Sequence, residues 1–112
     1  MAYVVLARWI AKPGEEDAVA AAIDALIEPS RAEPGNLVYE AHRDPADPRV
    51  FMLYEQYADE GGYRAHGESE HFRRHGHGDA IPRLQTRERS FYETWRESGS
   101  EGSAPGTTRP DS

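Results

Sequence analysis

Apolar and polar residues along this chain recur with two different periods, and the changes of period mark out its elements. Tyr3 to Ala11, YVVLARWIA, is a β-branched and aromatic run broken only by Arg8, which predicts a strand covered on both faces. Pro13 and Gly14 end it, and Glu15, Glu16 and Asp17 put negative charge where a helix N-terminus favours it. Val19, Ala22, Ile23, Leu26 and Ile27 then fall three and four residues apart, one apolar stripe of a helix. Pro29 cannot continue the hydrogen-bond ladder, so a kink or a fresh turn is predicted over 29–32.

After the turn Glu33-Pro34-Gly35-Asn36 the period changes to two. Leu37, Tyr39 and Ala41 fall on one side of a strand, with Val38, Glu40 and His42 on the other. Asp44 to Pro48 contains two prolines and reads as a loop, and Val50 to Tyr57, VFMLYEQY, reads as the antiparallel partner strand of a hairpin. Phe51, Leu53, Glu55 and Tyr57 share one face of it, which sets the Glu55 carboxylate among apolar neighbours. A helical segment through Tyr63, Ala65 and His66 follows, with Gly67 ending its first part. Glu68 to His75 continues it around Phe72, and Gly76-His77-Gly78 interrupts again. Ile81 and Leu84 suggest a last helical turn before a final strand, Thr86 to Trp95. The order is β-α-β-β-α-β, an α+β unit whose four-stranded antiparallel sheet carries helices on one face. Aromatic residues on the other face, Trp9, Tyr54 or Tyr57 depending on register, would favour a face-to-face homodimer.

Composition narrows the function. The chain of 112 residues suits one domain, expected over 1–95. Residues 96–112 are rich in Gly, Ser and Pro and predict a disordered tail. Thirteen Lys plus Arg against 20 Asp plus Glu give a net charge of −7, which disfavours nucleic acid and anionic membrane and leaves a small molecule or another protein as partner. The absence of cysteine removes disulfides, thiol nucleophiles and thiolate metal sites. The N-terminal run lacks a basic leader and a cleavage site, and no stretch reaches the roughly 18 apolar residues of a membrane span, so a cytoplasmic protein is expected. Dinucleotide, P-loop and nucleophile-elbow motifs are absent from the sequence.

Candidate chemistry gathers between Glu33 and His75, which holds four of the five histidines. His71 and His75, four apart, could share a helix face and bind zinc, copper or iron. No HExxH sequence is present, and Gly-His-Gly around His77 reads as a surface turn, so no metal is expected. Glu55 could orient a base or accept a substrate hydroxyl, or it could be neutralised across the sheet by Arg8. Trp9, Tyr39, Tyr54 and Phe72 could line a pocket that stacks a planar ring, or belong to core and interface.

LARW in the first strand, AEPGNLVYE, the DPADPRVFMLYEQY hairpin and AHGESEHF, taken together and in order, resemble the antibiotic biosynthesis monooxygenase domain family, particularly its quinol monooxygenase-like members. The similarity spans about Tyr3 to Trp95. It implies a ferredoxin-like chain forming a dimeric α+β barrel, with a pocket in each subunit between sheet and helices. It also implies oxidation of phenolic, quinol or anthrone-type substrates by O2 without metal or organic cofactor. His66 matches the family's helix histidine and becomes the candidate base, the imidazole being matched to neutral pH; the bland alternative is a helix-surface or capping histidine. Asn36 and His71 match further family positions, although Gly-Asn before a strand is also ordinary turn chemistry. The haem-degrading branch carries an asparagine in the first strand and a tryptophan on the helix, where this chain has Arg8 and His66. An isomerase acting on a small carbonyl compound and a non-catalytic binding dimer are the alternatives the same fold leaves open.

Overall fold

The computed structural model of the protein describes residues 1–96; the tail expected to be disordered lies, apart from Arg96, outside the described residues. The elements follow in the order β1 (Tyr3–Ala11), α1 (Glu16–Arg31), β2 (Asn36–Arg43), β3 (Val50–Tyr57), α2 (Glu60–Gly67), a π-helical segment (Phe72–Ala80), a short 3-10 turn (Ile81–Arg83) and β4 (Leu84–Glu93). The four strands form one antiparallel sheet in the order β2-β3-β1-β4. This is the ferredoxin-like arrangement expected from the β-α-β-β-α-β pattern.

The register decides which side chains can reach a site. Val5 pairs with Glu55, Ala7 with Leu53 and Trp9 with Phe51 on β3, while Phe91, Arg89 and Arg87 of β4 pair with the same three β1 residues. These positions form the face beneath the helices. There Ala7, Trp9, Ala11, Tyr39, Phe51 and Leu53 pack with Val19, Ala22, Ile23 and Leu26 of α1 and with Phe72. β1 is therefore covered on one face: Arg8 is exposed, and Leu6 and Ile10 are half-buried. Of the three aromatics named for the outer face only Tyr54 lies there, since Trp9 and Tyr57 are buried beneath the helices. Leu37 leaves the face of Tyr39 because a bulge between Asn36 and Val38 leaves it without a partner on β3, and it is exposed.

The helical layer differs from expectation at two places. α1 runs through Pro29 to Arg31 rather than breaking there. Pro29 sits in the last turn, the helix closes when the Ala32 N–H donates to Glu28 O at 3.1 Å, and Arg31 Nε ties the end to β2 by donating to Tyr39 O at 3.0 Å. One lost ladder bond is offset by that anchorage and by burial of Leu26. Gly76-His77-Gly78 does not interrupt its helix either, because the wider π winding absorbs it. Gly76 is required there: a Cβ on it would lie 2.9 Å from the Phe72 ring.

Asp59 caps α2 by accepting from the Gly62 N–H at 2.9 Å, and Gly62 packs backbone to backbone against Gly35 of the turn before β2. A Cβ on Gly62 would stand 3.2 Å from Gly35 O and 3.3 Å from Tyr57 Cβ. This approach draws the Glu33 turn onto α2. Gly62→Ala should therefore destabilise by about 1–3 kcal/mol, although alanine is the better helix former. Gly67→Ala, with nothing within 4 Å of the added Cβ, should be neutral or mildly stabilising. Urea unfolding of the two variants checks the contrast.

Candidate functional site

A cavity of about 380 Å³ lies between the covered face of the sheet and the helical layer, at α2 and the π-helical segment. Val5, Ala7 and Trp9 of β1, Glu55 of β3 and Arg87 and Arg89 of β4 form its floor. Tyr63, His66, Phe72 and His77 come from α2 and the π-helical segment. The alternation of β1 supplies small residues, Val5 and Ala7, where the space is needed, and a large ring, Trp9, beside them. His77 stands edge-on to Phe72, with ring centroids 5.1 Å apart, so the π winding keeps both rings at the cavity.

His66 is buried, and aromatic rings fix it: Phe72, Tyr39 and Tyr57 have centroids 4.9, 5.3 and 5.6 Å from its own. Its Nδ1 lies 2.8 Å from Glu33 Oε2, and the same oxygen lies 2.5 Å from His71 Nε2. Burial acts to raise the Glu33 carboxyl, but the hydrogen bonds and charge from His66 and then His71 outweigh it and hold the group below its ordinary value. Glu33 is therefore an ionised acceptor, and each nitrogen facing it carries its hydrogen. With Nδ1–H donating to Glu33, a neutral His66 keeps its lone pair on Nε2.

Glu55 has a different environment. It is buried, and burial pushes its carboxyl up, against the hydrogen bond that Tyr57 Oη donates at 2.6 Å. Tyr57 and Tyr39 are in turn pushed up by burial and then by the charge of Glu55. Arg87 is half-buried; desolvation and then neighbouring Arg89 lower its guanidinium from the ordinary value. It forms no ion pair among the described residues, and its Nε is buried without a partner, as is Trp9 Nε1. Arg89, by contrast, donates to Tyr63 Oη at 3.0 Å. The cavity is thus lined by a histidine whose Nδ1 is committed to Glu33, by a carboxyl that burial makes harder to ionise, and by Trp9 and Arg87, each with a buried N–H that has no partner.

Trp9, Glu55, His66 and Phe72, four of the residues singled out from the sequence, line this one cavity. Tyr39 stands behind His66, and with Asn36 it borders a separate surface depression beside β2. His71 is reached through Glu33 rather than through the cavity. Tyr54 lies on the opposite face of the sheet, its hydroxyl accepting from Gln56 Nε2 at 2.6 Å. The carboxylate hydrogen-bonded to His66 is Glu33, not Glu55. Arg8 does not neutralise Glu55 either, since it points to the outer face and pairs with Glu88 at 3.7 Å. The histidine that joins His71 around a common acceptor is His66, not His75. Sequence reasoning missed Glu33, Tyr63, Arg87 and Arg89. Glu33 was hidden in a turn signal, and β4 has no apolar alternation to show that Arg87 and Arg89 face inward.

Comparison with known proteins bears on the family and the fold. The chain is 30% identical over 70 residues to the Bacillus subtilis (strain 168) protein named "Putative monooxygenase YcnE", covering 62% of this chain and 74% of that one. The crystal structure of PA3566 from Pseudomonas aeruginosa superposes with a TM-score of 0.79 at 32% identity, covering 85% of this chain and 95% of that one. A Nitrosomonas europaea structure, titled "Putative antibiotic biosynthesis monooxygenase", superposes with a TM-score of 0.81 at 25% identity, over 88% of this chain and 94% of that one. No helix of the described residues is long and apolar enough to cross a membrane. Residues 2–77 match the family described as antibiotic biosynthesis monooxygenase, and the chain belongs to that family.

Proposed function

We propose that the protein is a cofactor-independent monooxygenase that oxidises a phenolic, quinol or anthrone-type compound with O2. The observation that carries this reading is His66, buried at the cavity with Nδ1 committed to Glu33, so that Nε2 is the nitrogen able to take a proton. His66 Nε2 removes the substrate's hydroxyl proton, which makes the ring electron-rich enough to reduce O2. Arg87 and the Trp9 indole N–H, both short of partners, stabilise the resulting oxyanion. Phe72 and Tyr63 enclose the ring and keep water out. For an anthrone, a ring CH2 plus O2 becomes a carbonyl plus water, one oxygen atom going to each product. Glu55 accepts a second substrate hydroxyl or passes a proton, for which its raised carboxyl is suited.

The half-buried Leu6, Ile10, Met52 and Tyr54 on the outer face, left without a covering layer by this single chain, support a homodimer. Sedimentation should give twice the mass of one chain, and Leu6→Arg should shift it towards the monomer.

The first measurement is O2 uptake by metal-free protein given hydroquinones and anthrones. Uptake should be one O2 per anthrone consumed, with His66→Ala slower by about 10²–10⁴-fold and Glu33→Gln slower by at least about tenfold. Product formation without O2 loss would point to isomerase chemistry, and tight ligand binding without turnover to a binding protein.

A carboxylate that is costly to bury and kept for chemistry also predicts a pH signature. Glu55 is raised in the folded state, so its ionisation costs stability as pH rises from the ordinary carboxylate range of about 4.3 through the folded value. Glu55→Gln keeps an acceptor for Tyr57 Oη but removes that ionisation. It should be more stable than the parent at high pH, with the difference vanishing at pH 4 and below, while O2 uptake falls. Urea midpoints across pH 4–9 check this.

A further inference from the structure

The two histidines and the carboxylate beside the cavity form more than a hydrogen-bonded relay. Among the described residues, Glu33, His66 and His71 are one group whose potential ligand atoms all lie within 4.8 Å of one another. They come from separate stretches, the turn before β2, the end of α2 and the start of the π-helical segment, so the fold has to bring them together. Two imidazoles and one carboxylate are the donor set that suits zinc and other divalent first-row ions. We propose that Glu33, His66 and His71 form a binding site for a divalent transition-metal ion, with His66 Nδ1, His71 Nε2 and the Glu33 carboxylate as ligands.

Three features of the geometry support the site. Both nitrogens point at the same oxygen, Glu33 Oε2, so the ring orientations that coordination needs are already set. The other oxygen, Oε1, is buried without a partner, a lone-pair position that two N–H donors leave unused and a cation would use. The group is also reachable: the His71 side chain is 20% exposed and that of Glu33 13%, while His66 is held at 3%. Ligands about 2.0–2.1 Å from a tetrahedral ion stand about 3.3 Å apart. The present contacts of 2.8 and 2.5 Å therefore open by under about 1 Å as the carboxylate withdraws, a movement the exposed side of the turn permits. Three protein ligands leave a position for water.

The ion and the hydrogen-bonded triad exclude each other. Coordination takes the Nδ1 lone pair of His66, moves the proton of the neutral ring to Nε2 and removes the base assigned above. That consequence rests on the proposed function; the binding itself does not. The metal therefore inhibits rather than assists turnover.

The test is titration of metal-stripped protein with Co2+ as a visible probe and with Zn2+ as competitor, without substrate. One Co2+ per chain should bind, giving an absorption band that Zn2+ abolishes. Glu33→Gln and His71→Ala should each weaken binding at least about tenfold, while His75→Ala and His42→Ala should leave it unchanged. Long-range 1H–15N spectra of the unaltered protein decide the matter even if a variant fails to fold. Addition of Zn2+ should shift His66 Nδ1 and His71 Nε2 to coordinated values. Absence of stoichiometric uptake, or coordination at other nitrogens, would overturn the site. Zinc binding without loss of O2 uptake would keep the site and remove His66 as the base.

Discussion

One carboxylate oxygen, Glu33 Oε2, holds the functional half of this molecule together. It accepts from a histidine at the end of α2 and from one at the head of the π-helical segment, so the break between them is fixed by a residue 33 positions upstream. A shared, partly enclosed acceptor of two N–H donors is stronger than a surface ion pair, because little water competes for it. The position of Glu33 depends in turn on Gly35 meeting Gly62 without side chains between them. A backbone contact thus sets a proton position: the approach of two glycines puts Glu33 on Nδ1, and Glu33 on Nδ1 puts the lone pair of His66 on Nε2.

Most of the fold was legible in the sequence because it rests on periodicity. β1 and β3 have the expected bounds, and the stripe Val19, Ala22, Ile23 and Leu26 is the buried face of α1. The errors have local causes. Pro29 looked like a kink or the start of a fresh turn because a sequence does not show the bond from Arg31 to Tyr39 O that secures the last turn. The double glycine around His77 looked like an interruption because π winding has no sequence period of its own.

The site was less legible, for a different reason. His66, Glu55, Trp9 and Phe72 were visible as unusual residues on predicted elements, and the cavity joins them. The hydrogen-bonding partners were not visible, because they depend on how layers sit against each other. Nearest charge in the pattern suggested Glu55 for His66 and Arg8 for Glu55, yet strand pleating sends Arg8 to the outer face and Glu55 to Tyr57. Arg87 could be placed only once β4 was in register with Trp9.

The cavity's unpaired groups bear on what it was shaped to hold. An unpartnered buried donor costs about 1–3 kcal/mol, and Trp9 Nε1 and Arg87 Nε are both in that state while burial pushes the Glu55 carboxyl above its ordinary value. A folded protein with no ligand gains nothing from such an arrangement. In the proposed reading, a planar, oxygen-bearing guest would satisfy these groups together: its ring would lie against Phe72 and Trp9, and its oxygen, once deprotonated by the proposed base His66, would face the donors. Because that oxygen would become an anion only after proton transfer, those interactions would strengthen as the proposed reaction begins, which is the condition for them to accelerate it rather than only tighten binding.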